Sequence, residues 1–421
     1  MNFFYKNNFL SLFFLQFLQS ASYLIPVITI PYLTNVLGIE LFGKYSFSQS
    51  VAYYFSIIVL YSFDIIITRD ISIHKNDFLK IQKVFSSAII ARLLLFIACL
   101  IIFLILLFFL ADIRDNALDF FIAFMINLGW VFTPTWLFLG IGKSTQAALI
   151  NFFSKIIFSI LIFILVKNKN DYIYVNLSQT FAQVVVALIL LVYIKRRYGF
   201  QLFSSSIKDA IHVIFSGWSF FKTSLVITLY TATNPIILGI YASNTQVGIY
   251  SFTYKVISVL TGFVVIPLNM IVFPKVTELF TIDKLVALKY VYKVSGYVIF
   301  FALTITLSVF LFSDYIYFFF QRNDDKYVID NTILCFKISS LTIAFIAMSN
   351  IFGYQILIPL KKEKYLFYIC LIVALFSNIL TFVFSKNFGG LGVIAIWTTS
   401  EFLIMIGFGI FAYRQIRKLI S

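Results

Sequence analysis

The chain has 421 residues, 61% of them hydrophobic, 19% aromatic and only 12% charged, with a formal net charge of +15. That is more apolar surface than a soluble core of this length buries, so the composition excludes a soluble enzyme and predicts an all-α polytopic membrane protein. Cys99, Cys335 and Cys370 lie inside apolar runs and His74 and His212 lie far apart in polar loops, so no disulfide framework, metal site, cofactor or catalytic constellation is expected.

Apolar windows near the length that spans about 30 Å of hydrocarbon fall at roughly 9–33, 43–67, 84–110, 117–140, 145–166, 172–194, 214–240, 247–273, 290–313, 330–357, 365–385 and 389–413. They predict about twelve transmembrane helices. The first is too long for a signal peptide, carries Pro26 and Pro31 and precedes no small-residue cleavage site, so it reads as a retained helix. The longest basic connection, Lys195 to His212, separates an N-terminal lobe over 1–194 from a C-terminal lobe over 214–421, with 195–213 as linker.

The halves share a stretch. Leu33 to Val51 returns without a gap as Leu238 to Val256, and Gly43, Tyr45, Ser46, Phe47 and Val51 fall on Gly248, Tyr250, Ser251, Phe252 and Val256. Each copy follows an apolar segment carrying proline and a short polar turn. The plainest reading is one helical hairpin used twice, in two pseudo-symmetric six-helix lobes around a central cavity.

Orientation follows from the loop cations, because positive residues stay on the cytoplasmic side. With the N-terminus inside, 20 Lys and Arg lie in inner segments and 7 in outer ones. Both termini are therefore expected in the cytoplasm, and the basic excess faces anionic lipid rather than nucleic acid.

Lipid-facing helix surface is apolar, so a polar stripe at helical spacing marks a face turned to protein or water. The hairpin helices carry such stripes: Gln16, Gln19, Ser20 and Tyr23; Ser46, Gln49, Ser50 and Tyr53; Ser219, Lys222, Thr223, Tyr230 and Asn234; Ser251, Tyr254, Lys255 and Ser258. They either line a shared wet cavity or act as polar glue between packed helices.

The remaining cations, Arg92, Lys155, Lys222, Lys255 and Lys337, lie at membrane depth, where an ionised side chain costs about 3 kcal/mol or more. Lys155 shares its face with Asn151 and Ser159. These cations either snorkel to a headgroup or hold a substrate bearing phosphate or acidic sugars by charge-assisted hydrogen bonds. Asp64 either pairs with nearby Arg69 or joins Glu401 as an ion-coupling candidate. Glu401 has no opposite charge at helical spacing, so it bridges to a cation on another helix or takes a proton. Pro26, Pro31, Pro134, Pro235 and Pro267 each remove a backbone hydrogen bond within a span and permit a kink.

These residues carry a resemblance. Tyr23 to Pro26, Ile30-Pro31-Tyr32-Leu33, Val36-Leu37-Gly38 and Phe42-Gly43 closely resemble the N-terminal signature of Wzx-type O-antigen flippases, in the polysaccharide-transport branch of the multidrug/oligosaccharidyl-lipid/polysaccharide exporter superfamily. Thr133 to Phe138 with Gly140 is similar to that family's fourth-helix motif, although Leu139 and Ile141-Gly142 stand where the family usually places Gln and Glu. Asn350-Ile351, Gly353, Gln355 to Pro359, and Gly389 to Gly392 leading to Glu401 resemble its C-terminal half.

The resemblance implies a multi-pass protein of the bacterial inner membrane working by alternating access. It implies a substrate of one oligosaccharide unit on undecaprenyl diphosphate, moved from the cytoplasmic to the periplasmic leaflet. It further implies coupling to H+ or Na+, no enzymatic step, and a polymerase and chain-length proteins as candidate contacts. Three competitors share parts of this pattern. A teichoic-acid or capsule-unit exporter differs only in sugar, and a multidrug exporter wants an acidic cavity rather than five intramembrane cations. A membrane-bound polymerase wants a long basic periplasmic loop that the spacing does not provide.

Overall fold

The computed structural model describes the backbone of residues 2–321 and 325–420. Side chains are described over the same range except 2–17, 19, 20, 23, 112, 219, 223, 224, 227, 229–231 and 420. All regular structure among the described residues is helical, as long apolar runs in a bilayer require, since a helix satisfies its own backbone where no water reaches.

Nine of the described helices are long and apolar enough to cross a membrane. Two of these apolar stretches, Leu24–Ile73 and Glu363–Leu419, have 50 and 57 residues. At 1.5 Å per residue either is more than twice the hydrocarbon thickness. Each is broken by a glycine that leaves helical geometry, Gly38 (φ 78°) and Gly389 (φ 55°). Crossings therefore outnumber continuous helices. The expected span over 117–140 is three short helices, Ala117–Phe124, Ile126–Val131 and Thr135–Gly140, interrupted where Pro134 lacks the N–H that would continue the ladder.

Proline also sets two wide turns. Leu268–Val272 follows Pro267 and Ile351–Leu357 precedes Pro359, and both are π-helical. The Gln355 amide reaches Asn269 Oδ1 at 3.4 Å, tying one wide turn to the other. Such turns leave backbone groups that side-chain amides satisfy.

By contacts the chain forms two compact units, residues 1–29 with 48–228, and residues 30–47 with 229–421. This division runs differently from the sequence-order lobes ending at 194 and starting at 214. The segment 195–213 is docked on the helix Phe78–Phe109 of the first unit. Gln82 Nε2 donates to Gln201 O (2.8 Å), Ser86 Oγ to Leu202 O (2.9 Å), and Lys83 pairs with Asp209 at 2.9 Å. The helix Ile207–Thr231 begins within this segment, with Phe221 stacked on Tyr61 at 4.3 Å. The core of the first unit gathers Phe63, Phe85, Trp136 and Phe138, and that of the second gathers Val276, Ile351, Leu357 and Phe408.

The repeated hairpin explains why residues 30–47 belong to the second unit. The first copy breaks at Gly38 and the second at Ala242 and Ser243, the same aligned place. Five residues beyond each break stands a glycine. A Cβ on Gly43 would lie 1.9 Å from Asn244 O, and a Cβ on Gly248 would lie 2.0 Å from Ile39 O. Ile39 and Asn244 are themselves aligned by the repeat, so the two copies cross reciprocally, backbone on backbone. Only glycine leaves room for this approach, as at small-residue crossings in other membrane helices.

Candidate functional site

In the first unit, two intramembrane cations sit on carbonyls that prolines have left short of a partner. In a helix the carbonyl of residue i accepts from the N–H of residue i+4, so Pro26 deprives Ser22 and Pro134 deprives Trp130. Lys155 Nζ donates to Ser22 O at 3.0 Å. Arg92 Nη1 donates to Trp130 O at 3.1 Å, which Thr133 N–H shares at 3.3 Å, and to Thr133 O at 3.2 Å. The sequence shows the prolines and the cations separately; the fold joins them.

Arg92 has a side chain 0% exposed, and its Nη2 lies 3.3 Å from Asp64 Oδ1. Phe63 and Trp136 place their ring centroids 5.9 and 5.8 Å from the guanidinium carbon. Arg92, expected to face a substrate or to snorkel, is placed by these contacts against the broken helix around Pro134. The expected pairing of Asp64 with Arg69 is corrected too, since the partner is Arg92. Asp64 keeps 47% of its side chain exposed and accepts a further hydrogen bond from Thr135 Oγ1 at 3.1 Å. It lies in the first turn of the helix Phe63–Ile73, where the helix dipole favours an anion. That helix restarts after Tyr61 (φ 48°) and Ser62 (φ 57°), two non-glycine residues in the left-handed region, a strained break of the kind that concentrates at functional sites.

A third set of polar contacts in this unit escaped the sequence reading. Asn176 Nδ2 donates to Ser48 Oγ and to buried Asp119 Oδ1, both at 2.8 Å, and Gln49 Nε2 donates to Gln179 Oε1 at 2.7 Å. Gln183 accepts from Ser154 Oγ (2.9 Å) and donates to Thr133 Oγ1 (3.0 Å). Asn176, Gln179, Thr180 and Gln183 recur at the three-and-four spacing of one helix face, so the signal was available on the helix Ile173–Tyr198. Of the residues expected near them, Gln49 joins this network, while Tyr53 and Asn151 are exposed. Lys222 is exposed, with its ammonium 5.9 Å from the Trp218 ring centroid. The side chains of Gln19, Tyr23 and Thr223 lie outside the described residues.

In the second unit, Lys255 reaches from the second copy of the hairpin to the first. Its ammonium lies 3.4 Å from Ser46 Oγ and 4.8 Å from the ring centroids of both Phe42 and Tyr45. Lys255 is half-buried, and a cation over aromatic faces in a desolvated place is attracted by their quadrupoles. Asn234, Tyr254 and Glu401 come together through residues the sequence reading did not select. Asn234 Nδ2 donates to Tyr250 Oη at 3.3 Å, and Thr381 Oγ1 donates to Asn234 Oδ1 at 3.2 Å. Tyr254 packs on Tyr250 (5.9 Å) and Trp397 (4.9 Å), whose Nε1 donates to Glu401 Oε1 at 3.2 Å. Glu401 is 7% exposed, a carboxyl in an aromatic wall. Lys337 is half-buried and stands in none of these sets.

The candidate residues of the two units thus offer half-buried ammonium groups, amide and hydroxyl donors and three carboxyls, Asp64, Asp119 and Glu401. Among the described residues no three His, Cys, Asp or Glu side chains are placed to hold a metal ion.

The fold is shared with solved structures of transporters. The chain is similar to the inward-facing structure of a multidrug resistance MATE family transporter of the MOP superfamily, at 12% identity over 94% of this chain and 98% of that one, with a TM-score of 0.72. It is likewise similar to an inward closed structure of the lipid II flippase MurJ, at 15% identity over 97% and 87% of the chains, with a TM-score of 0.57. Residues 8–280 match the polysaccharide biosynthesis protein family, and the chain belongs to that family. Among curated relatives, a Shigella dysenteriae protein named "Putative O-antigen transporter" is 27% identical over 95% of this chain and 98% of its own length. One of the same name from Escherichia coli (strain K12) is 22% identical over 93% of each.

Proposed function

We propose that this protein is a flippase for a lipid-linked oligosaccharide of O-antigen assembly, and not an enzyme. In this reading it moves one repeat unit on undecaprenyl diphosphate from the cytoplasmic to the periplasmic leaflet of the bacterial inner membrane, with both termini in the cytoplasm. The observation that carries the reading is a pair of half-buried lysines, Lys155 and Lys255, one in each compact unit of a chain from the polysaccharide biosynthesis family. The names of the Shigella and Escherichia relatives point the same way.

A lysine ammonium carries three donors, so a phosphate oxygen can exchange for Ser22 O on Lys155 or, in the other unit, for the Phe42, Tyr45 and Ser46 contacts on Lys255. Charge-assisted bonds to phosphate exceed neutral ones in strength. Drawing Lys155 from Ser22 O would also untie the carbonyl that Pro26 leaves short of a partner, coupling occupancy to the bend of the first helix and so to alternating access. Asp64 and Glu401 are the groups for H+ or Na+ coupling. Asp64 is half-exposed beside a broken helix, and Glu401 is buried and accepts a hydrogen bond from Trp397 Nε1. A capsule or teichoic-acid unit would use the same phosphate chemistry with a different sugar.

The test is deletion of the gene in its host. Loss of surface glycan, build-up of lipid-linked units on the cytoplasmic side and rescue by the intact gene are expected. Unchanged glycan together with new drug sensitivity would replace this reading with drug export.

A further inference from the structure

The helix that ends the chain turns from apolar to basic within ten residues, Gly409 to Lys418, and beside that change lies a groove of about 740 Å³. Its walls at the basic end are Arg414, Gln415, Arg417 and Lys418, with Tyr365 from the start of the same long helical stretch facing them. The other end is lined by Ile410 and Phe411, with the Tyr365 ring tilted against Phe411 at 4.5 Å and the Arg414 guanidinium 5.8 Å from the Phe411 ring. No acidic side chain lines the groove. Among the described residues Arg414, Arg417 and Lys418 make no ion pair. Three formal positive charges therefore converge, unneutralised, at the point where an apolar span meets water.

The volume is many times the roughly 30 Å³ share of one water and lies in the range of built small-molecule sites. A free phosphate would use only the basic end. A ligand matching both ends carries an anion joined to hydrocarbon, and at a membrane boundary such a ligand is a phospholipid. We propose that this groove binds the phosphate headgroup of an anionic phospholipid, with Arg414 and Arg417 as bidentate donors, Lys418 as a point charge, and the glycerol and acyl roots lying along Phe411 and Ile410. The site belongs to the second compact unit, is separate from Lys155 and Lys255, and holds whether or not the transported substrate is a lipid-linked glycan.

Native mass spectrometry of the purified full-length protein in detergent tests it, with phosphatidylglycerol, phosphatidylcholine and inorganic phosphate as probes. Phosphatidylglycerol should bind, phosphatidylcholine at least tenfold more weakly, and R414Q/R417Q/K418Q should lose tenfold or more of the phosphatidylglycerol affinity, the loss expected for about one charge-assisted hydrogen bond. The single variant R417E, at an exposed position, should show the same direction with an unchanged gel-filtration profile. Retained binding in both variants, or equal binding of the two lipids, overturns the proposal. Displacement of phosphatidylglycerol by millimolar phosphate would overturn the lipid assignment in favour of a free-anion site.

Discussion

Replacing Gly43 or Gly248 by alanine places a methyl group against a carbonyl oxygen of the other hairpin copy, at 1.9 Å from Asn244 O or 2.0 Å from Ile39 O. Real Cβ atoms do not approach closer than 3.0 Å, so the helices must part by about 1 Å, and the obstacle is backbone rather than a side chain that could turn aside. Overpacking a close contact costs about 1–3 kcal/mol, and with backbone on both sides the upper end applies to each single variant. Parting also weakens Cα–H···O contacts worth about 0.5–1 kcal/mol each at such crossings. Because the contacts are reciprocal, the separation forced by the first methyl makes room for the second. The double variant should therefore cost about 3 kcal/mol rather than about 6, a coupling well above the additive limit for independent sites. Steric-trapping measurements of unfolding in bicelles on wild type, G43A, G248A and the double variant give the four corners of this cycle. Additive losses, or two neutral single variants, would refute the crossing.

Other expectations follow from the buried cations and the docked linker. D64N leaves the fully buried Arg92 without its carboxylate and should cost about 3 kcal/mol, read as lost melting temperature and yield, with R92M/D64N recovering part of the loss. P26A restores the N–H that Ser22 O lacks, so K155Q should cost less in a P26A background by about 1 kcal/mol, measured as unfolding free energy. At Asp209, the hydrogen bonds from Lys83 and Ser206 hold the carboxyl below its ordinary range. The folded pKa is depressed, so the pair's contribution is present above the ordinary carboxylate pKa and is lost as pH falls through the lowered one. D209N should therefore lower the melting temperature at pH 7 and converge with wild type in strong acid.

Much of the architecture is legible in the sequence because the bilayer imposes it. Window length and the breaks at Gly38 and Pro134 each follow from one local rule. The doubled stretch is legible as well, and the fold gives it a cause, since Gly43 and Gly248 are the two residues that meet at the crossing. What the sequence does not show is which cation meets which carbonyl. Lys155 and Ser22 are 133 residues apart and Arg92 and Asp64 are 28 apart, and such pairs depend on how helices are rotated against one another. The Asn176, Gln179 and Gln183 face was legible by its period. The placing of 30–47 with the C-terminal half has no local signal, because hydropathy is blind to which neighbour an apolar face chooses.

Translocation of a polyprenyl-diphosphate-linked oligosaccharide into proteoliposomes carrying wild-type, K155Q, K255Q or K255R protein tests the central claim most directly. If half-buried ammonium groups hold the passing phosphates, K155Q and K255Q should each slow transfer tenfold or more, the loss of one charge-assisted bond in the rate-limiting step, while K255R keeps most of the rate. Wild-type rates in both glutamine variants, at equal protein content, would contradict it.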